Sequence, residues 1–337
     1  MPPLAAFGLC VIVFVLYMRL IPEIPLLVLF KEHSYYVARI SRSMATNAFK
    51  GGKLHYYSNF FEYLLPFVTL YIFGIALKRV RYRSSLIAIG CILFTIFVAI
   101  HTTAKAGFFD FLVALFFVYM LIRKGGFVSF GTYIVYGTIG IILLIGLFWW
   151  FTGEHFGGLI GNVFQALLAG IDRLAVGQIQ SLYWNLAFVK RIGYFYGKTF
   201  PNPMGIFPWK QVQLNLSVAS FAAASSKSQV IGSYPAVFWT EVYANFGVWM
   251  SIASAFFVGL YVCLLNALVA NQFYSSLRAA LMAWLMVFHA RLARISIALI
   301  LPFPETLLFI MLWALVFSII RRLNVVRRLN ENFILHN

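Results

Sequence analysis

Residues 130–151 read FGTYIVYGTIGIILLIGLFWWF and contain no charged side chain. At about 1.5 Å per residue, a helix of this length crosses a hydrocarbon core of about 30 Å. Its apolar residues run continuously. A transmembrane β-strand would alternate apolar and polar residues, so a β-barrel is excluded. Similar runs lie on both sides of it. Leu4–Leu20, Phe60–Leu77, Ser84–Ile100 and Phe108–Ile122 precede it, and Val237–Val269, Leu277–His289 and Phe303–Ile320 follow. Leu4–Leu20 lacks a basic leading region and an A-x-A site, so it reads as a span rather than a signal peptide. The expected fold is all-α: a polytopic transmembrane helical bundle of about eight spans, forming a single integral membrane domain over residues 1–337.

The composition agrees. Of 337 residues, 62% are hydrophobic and 10% are charged, and the mean hydropathy is +0.88. Soluble domains carry about 25% charged residues. A soluble enzyme, a disordered chain and a disulfide scaffold are therefore excluded. Cys10, Cys91 and Cys263 all fall in apolar runs, form no CxxC, and read as packing residues at lipid depth.

Charge is less ordinary. Lys and Arg number 26 against 9 Asp and Glu, for a net charge of +17. Eight spans place both termini on one side, together with Lys78, Arg79, Arg81, Arg83, Arg123, Lys124, Arg278, Arg321, Arg322, Arg327 and Arg328. The positive-inside rule makes that side cytoplasmic. The other side holds Lys31, Arg39, Arg42, Lys50, Lys53, Arg173, Lys190, Arg191, Lys198, Lys210, Lys227, Arg291 and Arg294. Against them stand Glu23, Glu32, Glu154, Asp172 and Glu305. Topology does not require this external charge. An anionic ligand at the outer face explains it, and contact with anionic headgroups is the alternative.

One external segment, Thr152–Gly232, is too long for a passive connection. Within it, Gly161–Gln180 reads as an amphipathic helix continuing through Trp184 and Phe188. Gly193–Trp209 is rich in turns and aromatics, with Lys198 and Lys210 beside it. Ser217–Gly232 is small and polar and reads as a flexible loop over a site. Aromatics at Tyr183, Trp184, Tyr194, Phe195, Tyr196, Phe207, Trp209, Tyr234 and Trp239 fit an interfacial belt or a platform for sugar rings. The first external segment, with Arg39, Arg42, Lys50 and Lys53, reads as a surface helix. His101 and Lys105 fall in a short external turn and could line the same mouth.

The chain re-enters the membrane through GSYPAVFWTEVYANFG, residues 232–247. Glu241 stands there in an apolar run, with Asn245 on the same helical face at i+4. An intramembrane carboxylate marks a functional site or a structural ion pair. Taken with Gly-Lys-Thr-Phe at 197–200, Phe-Pro-Trp-Lys at 207–210, Arg173 and Gln178, this stretch resembles the Wzy-type oligosaccharide repeat-unit polymerases of O-antigen and capsule. The resemblance spans about residues 173–266, and its most specific piece is Glu-x-Tyr-x-Asn-Phe-Gly at 241–247, which includes Tyr243. Elsewhere only hydropathy is similar. Family members commonly have more spans, and the Arg-x10-Gly pattern of some members is absent from the external loops.

That resemblance implies a GT-C-like glycosyltransferase in the bacterial inner membrane, with both termini cytoplasmic. Its substrate would be a polyprenyl-diphosphate-linked oligosaccharide, polymerised at the periplasmic face. A chain-length regulator and a flippase would be its pathway partners. Negative charge grows on the leaving diphosphate, and Arg or Lys can stabilise it. The candidates are Arg173, Arg191, Lys198, Lys210, Arg291 and Arg294, with Tyr243 and Asn245 contacting glycan. Arg291 and Arg294 share a face at i+3. Glu241 and His289 are the candidate catalytic bases for the acceptor hydroxyl. The alternative for His289 is a hydrogen-bonded interfacial histidine. No HExxH, DxD, Walker or GxGxxG pattern occurs, so neither metal nor nucleotide cofactor is expected, and no nucleic-acid partner. An O-antigen ligase, a lipid-linked oligosaccharide flippase and a structural membrane subunit are the rival readings.

Overall fold

The computed structural model describes residues 2–32, 35–47, 57–103, 105–125, 129–152, 168, 179–200, 208–226, 237–270, 275–290, 309–320 and 323. All regular structure among them is helical. The helices are α1 (Pro2–Leu20), α2 (Pro25–Glu32), α3 (Tyr35–Asn47), a π-helical turn (Asn59–Leu64) leading into α4 (Leu65–Arg79), α5 (Tyr82–Ile100), α6 (Lys105–Arg123) and α7 (Phe130–Thr152). Then come α8 (179–192), α9 (Leu214–Ser226), α10 (Phe238–Phe246), α11 (Val248–Ala270), α12 (Ser276–Ala290) and α13 (Phe309–Ile320).

Four stretches are long and apolar enough to cross a membrane: Pro2–Leu20, Asn59–Arg79, Tyr82–Ile100 and Ala106–Arg123. They match the first four expected spans, so the chain is all-helical among the described residues and carries four candidate membrane-spanning helices. The later expected spans fall on apolar helices whose qualifying described stretches are shorter, including Ser276–Ala290 and Phe309–Ile320.

The chain divides into two compact units. The first comprises Met1–His155, Val269–Val287 and Thr306–Asn337, and the second Phe156–Leu268 and Phe288–Glu305.

In the first unit α4 is the central helix, packed against α1, α5 and α6. It is buried nearly all round, through Leu65, Phe67, Val68, Thr69, Leu70, Tyr71, Ile72, Gly74 and Ala76. Its neighbours bury one stripe each. In α1 that stripe is Ala6, Cys10, Phe14 and Tyr17, while Leu9, Ile12, Leu16 and Leu20 face outward. In α5 it is Ala88, Cys91, Thr95 and Val98. Lipid tails are as apolar as leucine, so close packing and polar contacts hold such helices together. Both occur here. Thr69 and Thr95 share a hydroxyl–hydroxyl bond of 2.8 Å, and Thr95 also donates to the Cys91 carbonyl at 2.8 Å. Ser276 of α12 donates to the Gly74 carbonyl at 2.9 Å. A Cβ on Gly74 would stand 3.0 Å from Ile122 and 3.2 Å from Ser276, so this approach needs glycine.

The short segments after α1 are helical, α2 and α3. In α3, Ala38, Ser41 and Ala45 are buried, while Val37, Ile40, Arg42 and Met44 are exposed. Lys50 and Lys53 lie outside the described residues, as does the Gly161–Gln180 reading apart from residues 168, 179 and 180.

Two expectations change. The stretch Val237–Val269 is not one helix. Gly247, at φ +83°, separates α10 from α11, and its N–H caps the Tyr243 carbonyl at 2.9 Å. Only glycine enters that backbone region freely. Glu241 therefore sits on a short helix of its own rather than within a long span. Likewise Ser217–Ser226 is helical, not a loop. Its alanines favour helix, and Leu214, Val218, Ala219 and Ala222 form a buried face at helical spacing. Residues 227–232 lie outside the described part.

Candidate functional site

The second unit builds its site from α8, α9, α10 and the connection between α8 and α9. Phe188, Val189, Leu214, Val218 and Ala244 form its apolar core, with Trp184, Phe195, Phe221 and Tyr243 packed around them. Phe188 stacks on Phe195 with centroids 6.0 Å apart and tilts against Phe221 at 5.4 Å. Arg191, in the last turn of α8, lays its guanidinium over the Phe221 ring at 5.7 Å.

Gly193 (φ +95°) ends α8, and its N–H reaches the Val189 carbonyl at 2.8 Å. The chain then turns back onto α10. Phe195 N–H donates to the Ala244 carbonyl at 3.0 Å and Tyr196 N–H to the Asn245 carbonyl at 3.1 Å. Tyr196 and Gly197 are both left-handed, at φ +50° and +87°. Such a residue other than glycine costs roughly 1–2 kcal/mol, so its surroundings must hold it.

Asn245 supplies much of that hold. Its Oδ1 accepts the Gly197 N–H at 2.8 Å. Its Nδ2 donates to Thr199 Oγ1 at 2.6 Å and to the Glu241 carbonyl at 2.9 Å. Thr199 in turn donates to Glu241 Oε1 at 3.0 Å. Glu241, Asn245 and Thr199 are exposed by only 1%, 0% and 2%. The i+4 pairing of Glu241 with Asn245 thus faces inward, and it grips the 197–200 turn.

The same turn is tied to the segment before α9. Val212 N–H donates to the Lys198 carbonyl at 2.7 Å, and Gln211 Nε2 to the Thr199 carbonyl at 3.3 Å. Lys198 and Lys210 are thereby carried on adjoining segments, and both are exposed, as is Arg191. Exposed aromatics border them, notably Tyr194 and Tyr196, in edge contact at 6.5 Å. Tyr243 is half-buried against Tyr194, at 6.1 Å and hydrogen-bonded to it. Two buried polar atoms of this unit, Asn185 Oδ1 and Thr240 Oγ1, have no hydrogen-bond partner among the described residues.

The structure therefore brings together Glu241, Asn245, Tyr243 and Lys198, and attaches the segment bearing Lys210. Arg173, Arg291 and Arg294 lie outside the described residues. His289 is 9% exposed and its Nε2 lies 3.1 Å from the Tyr261 hydroxyl, between the Tyr261 and Phe288 rings. This is the hydrogen-bonded arrangement considered as its alternative. His101 is not at a mouth. It is 2% exposed in the first unit, boxed by Phe14, Tyr17 and Phe61, and its Nδ1 bonds the Val98 carbonyl. The side chain of Lys105 lies outside the described part. Thr199 and Gly197 are the residues that sequence reading left without a role, although both stand in the quoted Gly-Lys-Thr-Phe.

Among the described residues no group of three His, Cys, Asp or Glu side chains is placed to hold a metal ion. Compared with family models, curated proteins and solved structures, the chain matches none.

Proposed function

We propose that this protein is a membrane glycosyltransferase that polymerises polyprenyl-diphosphate-linked repeat units at the outer face of a bacterial inner membrane. In this reading it has eight spans, a GT-C-like arrangement and cytoplasmic termini. One observation carries the proposal. The two segments of the resemblance, 197–200 and 241–247, are joined by buried hydrogen bonds, and the joined turn displays Lys198 among exposed tyrosines.

The chemistry suits that arrangement. Cleavage of the glycosyl–phosphate bond leaves charge on a diphosphate, which exposed Lys198, Lys210 and Arg191 can neutralise. Tyr194 and Tyr196 offer ring faces to sugars. Glu241, at 1% exposure, serves by fixing the turn rather than by meeting the acceptor. His289 remains the candidate base, with Tyr261 orienting its ring. Arg173, Arg291 and Arg294, the other cations expected from the sequence to meet the diphosphate, lie outside the described residues.

The test is the glycan profile of cells lacking the gene, complemented with wild type or with Lys198→Ala/Arg191→Ala. The proposal expects a ladder of chain lengths from wild type and single repeat units from the variant, at equal protein level. A normal ladder from the double variant overturns the site. Long chains retained on the polyprenyl carrier in the null strain indicate a ligase. Repeat units left facing the cytoplasm indicate a flippase.

A further inference from the structure

The hydrogen-bond directions around Thr199 can be assigned one by one. Asn245 Oδ1 takes the Gly197 N–H, so its Nδ2 must be the group facing Thr199 and the Glu241 carbonyl. Turning the amide over would set donor against donor at Gly197 and acceptor against acceptor at the Glu241 carbonyl. Thr199 Oγ1 therefore accepts from Asn245. A hydroxyl has one proton, and this one is left to donate to Glu241 Oε1. Thr199 is thus the bridge through which the Glu241 side chain reaches Asn245 and the turn.

The backbone shows what this bridge restrains. The N–H groups of Phe195, Tyr196, Gly197 and Lys198 are all spent, on Ala244, Asn245 twice, and Phe195 respectively. The turn offers no free run of amides as an anion nest. An anion must meet the side chains that the turn projects, and Lys198 is exposed immediately beside Thr199. Meanwhile Tyr196 is kept at φ +50°. Loss of the bridge would remove one of the contacts that hold the strained turn beside Lys198.

We propose that Thr199 is a positioning residue: its hydroxyl latches the 194–200 turn to α10 and so fixes Lys198 for the anionic part of the substrate. The assignment rests on the glycosyltransferase reading for its purpose, but the latch itself is measurable without any glycan.

The experiment uses the full-length protein in detergent micelles or nanodiscs. Trypsin cleavage after Lys198 is followed by mass spectrometry for wild type, Thr199→Val and Thr199→Ser. Valine keeps the shape and removes the bridge, taking one contact each from Glu241 Oε1 and Asn245 Nδ2. It should speed cleavage at Lys198 by roughly ten- to a hundredfold, and serine should restore wild-type resistance. In cells, Thr199→Val should shorten the glycan ladder and Thr199→Ser should rebuild it. Unchanged cleavage in Thr199→Val overturns the latch. Faster cleavage with an unaltered ladder overturns the positioning role. A gene deletion that leaves the ladder intact overturns the glycosyltransferase reading instead, and the cleavage result then decides the latch alone. Thermal unfolding of each variant identifies global misfolding. If Thr199→Val fails to fold, Thr199→Ala with a Thr199→Ser control decides by the same cleavage criterion.

Discussion

His101 in the first unit and Glu241 in the second are buried in contrasting ways. In the first, His101 is enclosed by rings, and its Nε2 has no hydrogen-bond partner among the described residues. Burial pushes its imidazole down to about 4, and the charge of Arg42 acts the same way, against the Val98 hydrogen bond. In the second, Glu241, Thr199 and Asn245 are equally buried but bonded to one another. A lone buried base is accommodated by staying neutral, whereas the cluster is accommodated by partners. The first arrangement shapes a packed core. The second fixes a turn, and so can place surface residues.

Local reporters can break this contrast. In a Cys263→Ser background, a thiol dye reads only Cys10 and Cys91, both buried in the first unit. Tryptic cleavage after Lys198 reads the second. The largest effect is expected from Asn245→Ala, which strands the Gly197 N–H and removes the amide that links Thr199 to the Glu241 carbonyl. It should cost about 4 kcal/mol at the Lys198 reporter and little at the thiol reporter. Equal losses at both would mean the units do not respond separately.

Acidification should do the reverse. The folded unit stores His101 in its neutral form, so the unfolded chain binds the extra proton between pH 6.5 and about 4. Stability from this group is complete above 6.5 and falls as pH drops, by about 3 kcal/mol near pH 4. Among the described residues, Tyr17 packs on it, the charge of Arg42 reaches it, and Glu62 acts on Tyr17. The thiol melt should show the fall, and His101→Leu should flatten it. A slope that survives the leucine variant assigns the titration elsewhere.

Smaller effects sharpen the comparison. Gly74→Ala forces a Cβ against Ile122 and Ser276 in the first unit and should cost about 2 kcal/mol in the thiol melt. Gly247→Ala meets Tyr194 at an ordinary 3.4 Å, so its cost is the strain of φ +83° with ψ −173°, roughly 1–3 kcal/mol. That variant should loosen Lys198 measurably and leave the first unit unchanged.

Much of the fold was legible because membrane spanning is a local property. Leu4–Leu20 and Ser84–Ile100 declare themselves by hydropathy alone, since lipid forces every backbone group to bond within its own helix. The break at Gly247 was harder to read, because apolar residues flank it on both sides and glycine is common in membrane helices. Ser217–Ser226 was misread from its serines, although Leu214, Val218 and Ala222 already carried a helical stripe. At the site, Glu241 and Asn245 were visible as an i+4 pair, and Lys198 as an external cation. Thr199 was not, since a threonine in a turn looks alike whether it faces water or a carboxylate.

The sequence by itself determined that this is a membrane protein of apolar helices, and which short motifs stand apart from them. Tertiary structure decided that 197–200 and 241–245 meet, through bonds spanning 42 to 48 residues of chain. The physical reason is range. Transfer into lipid is summed over one segment, whereas a hydrogen bond between distant residues exists only where the folded chain returns.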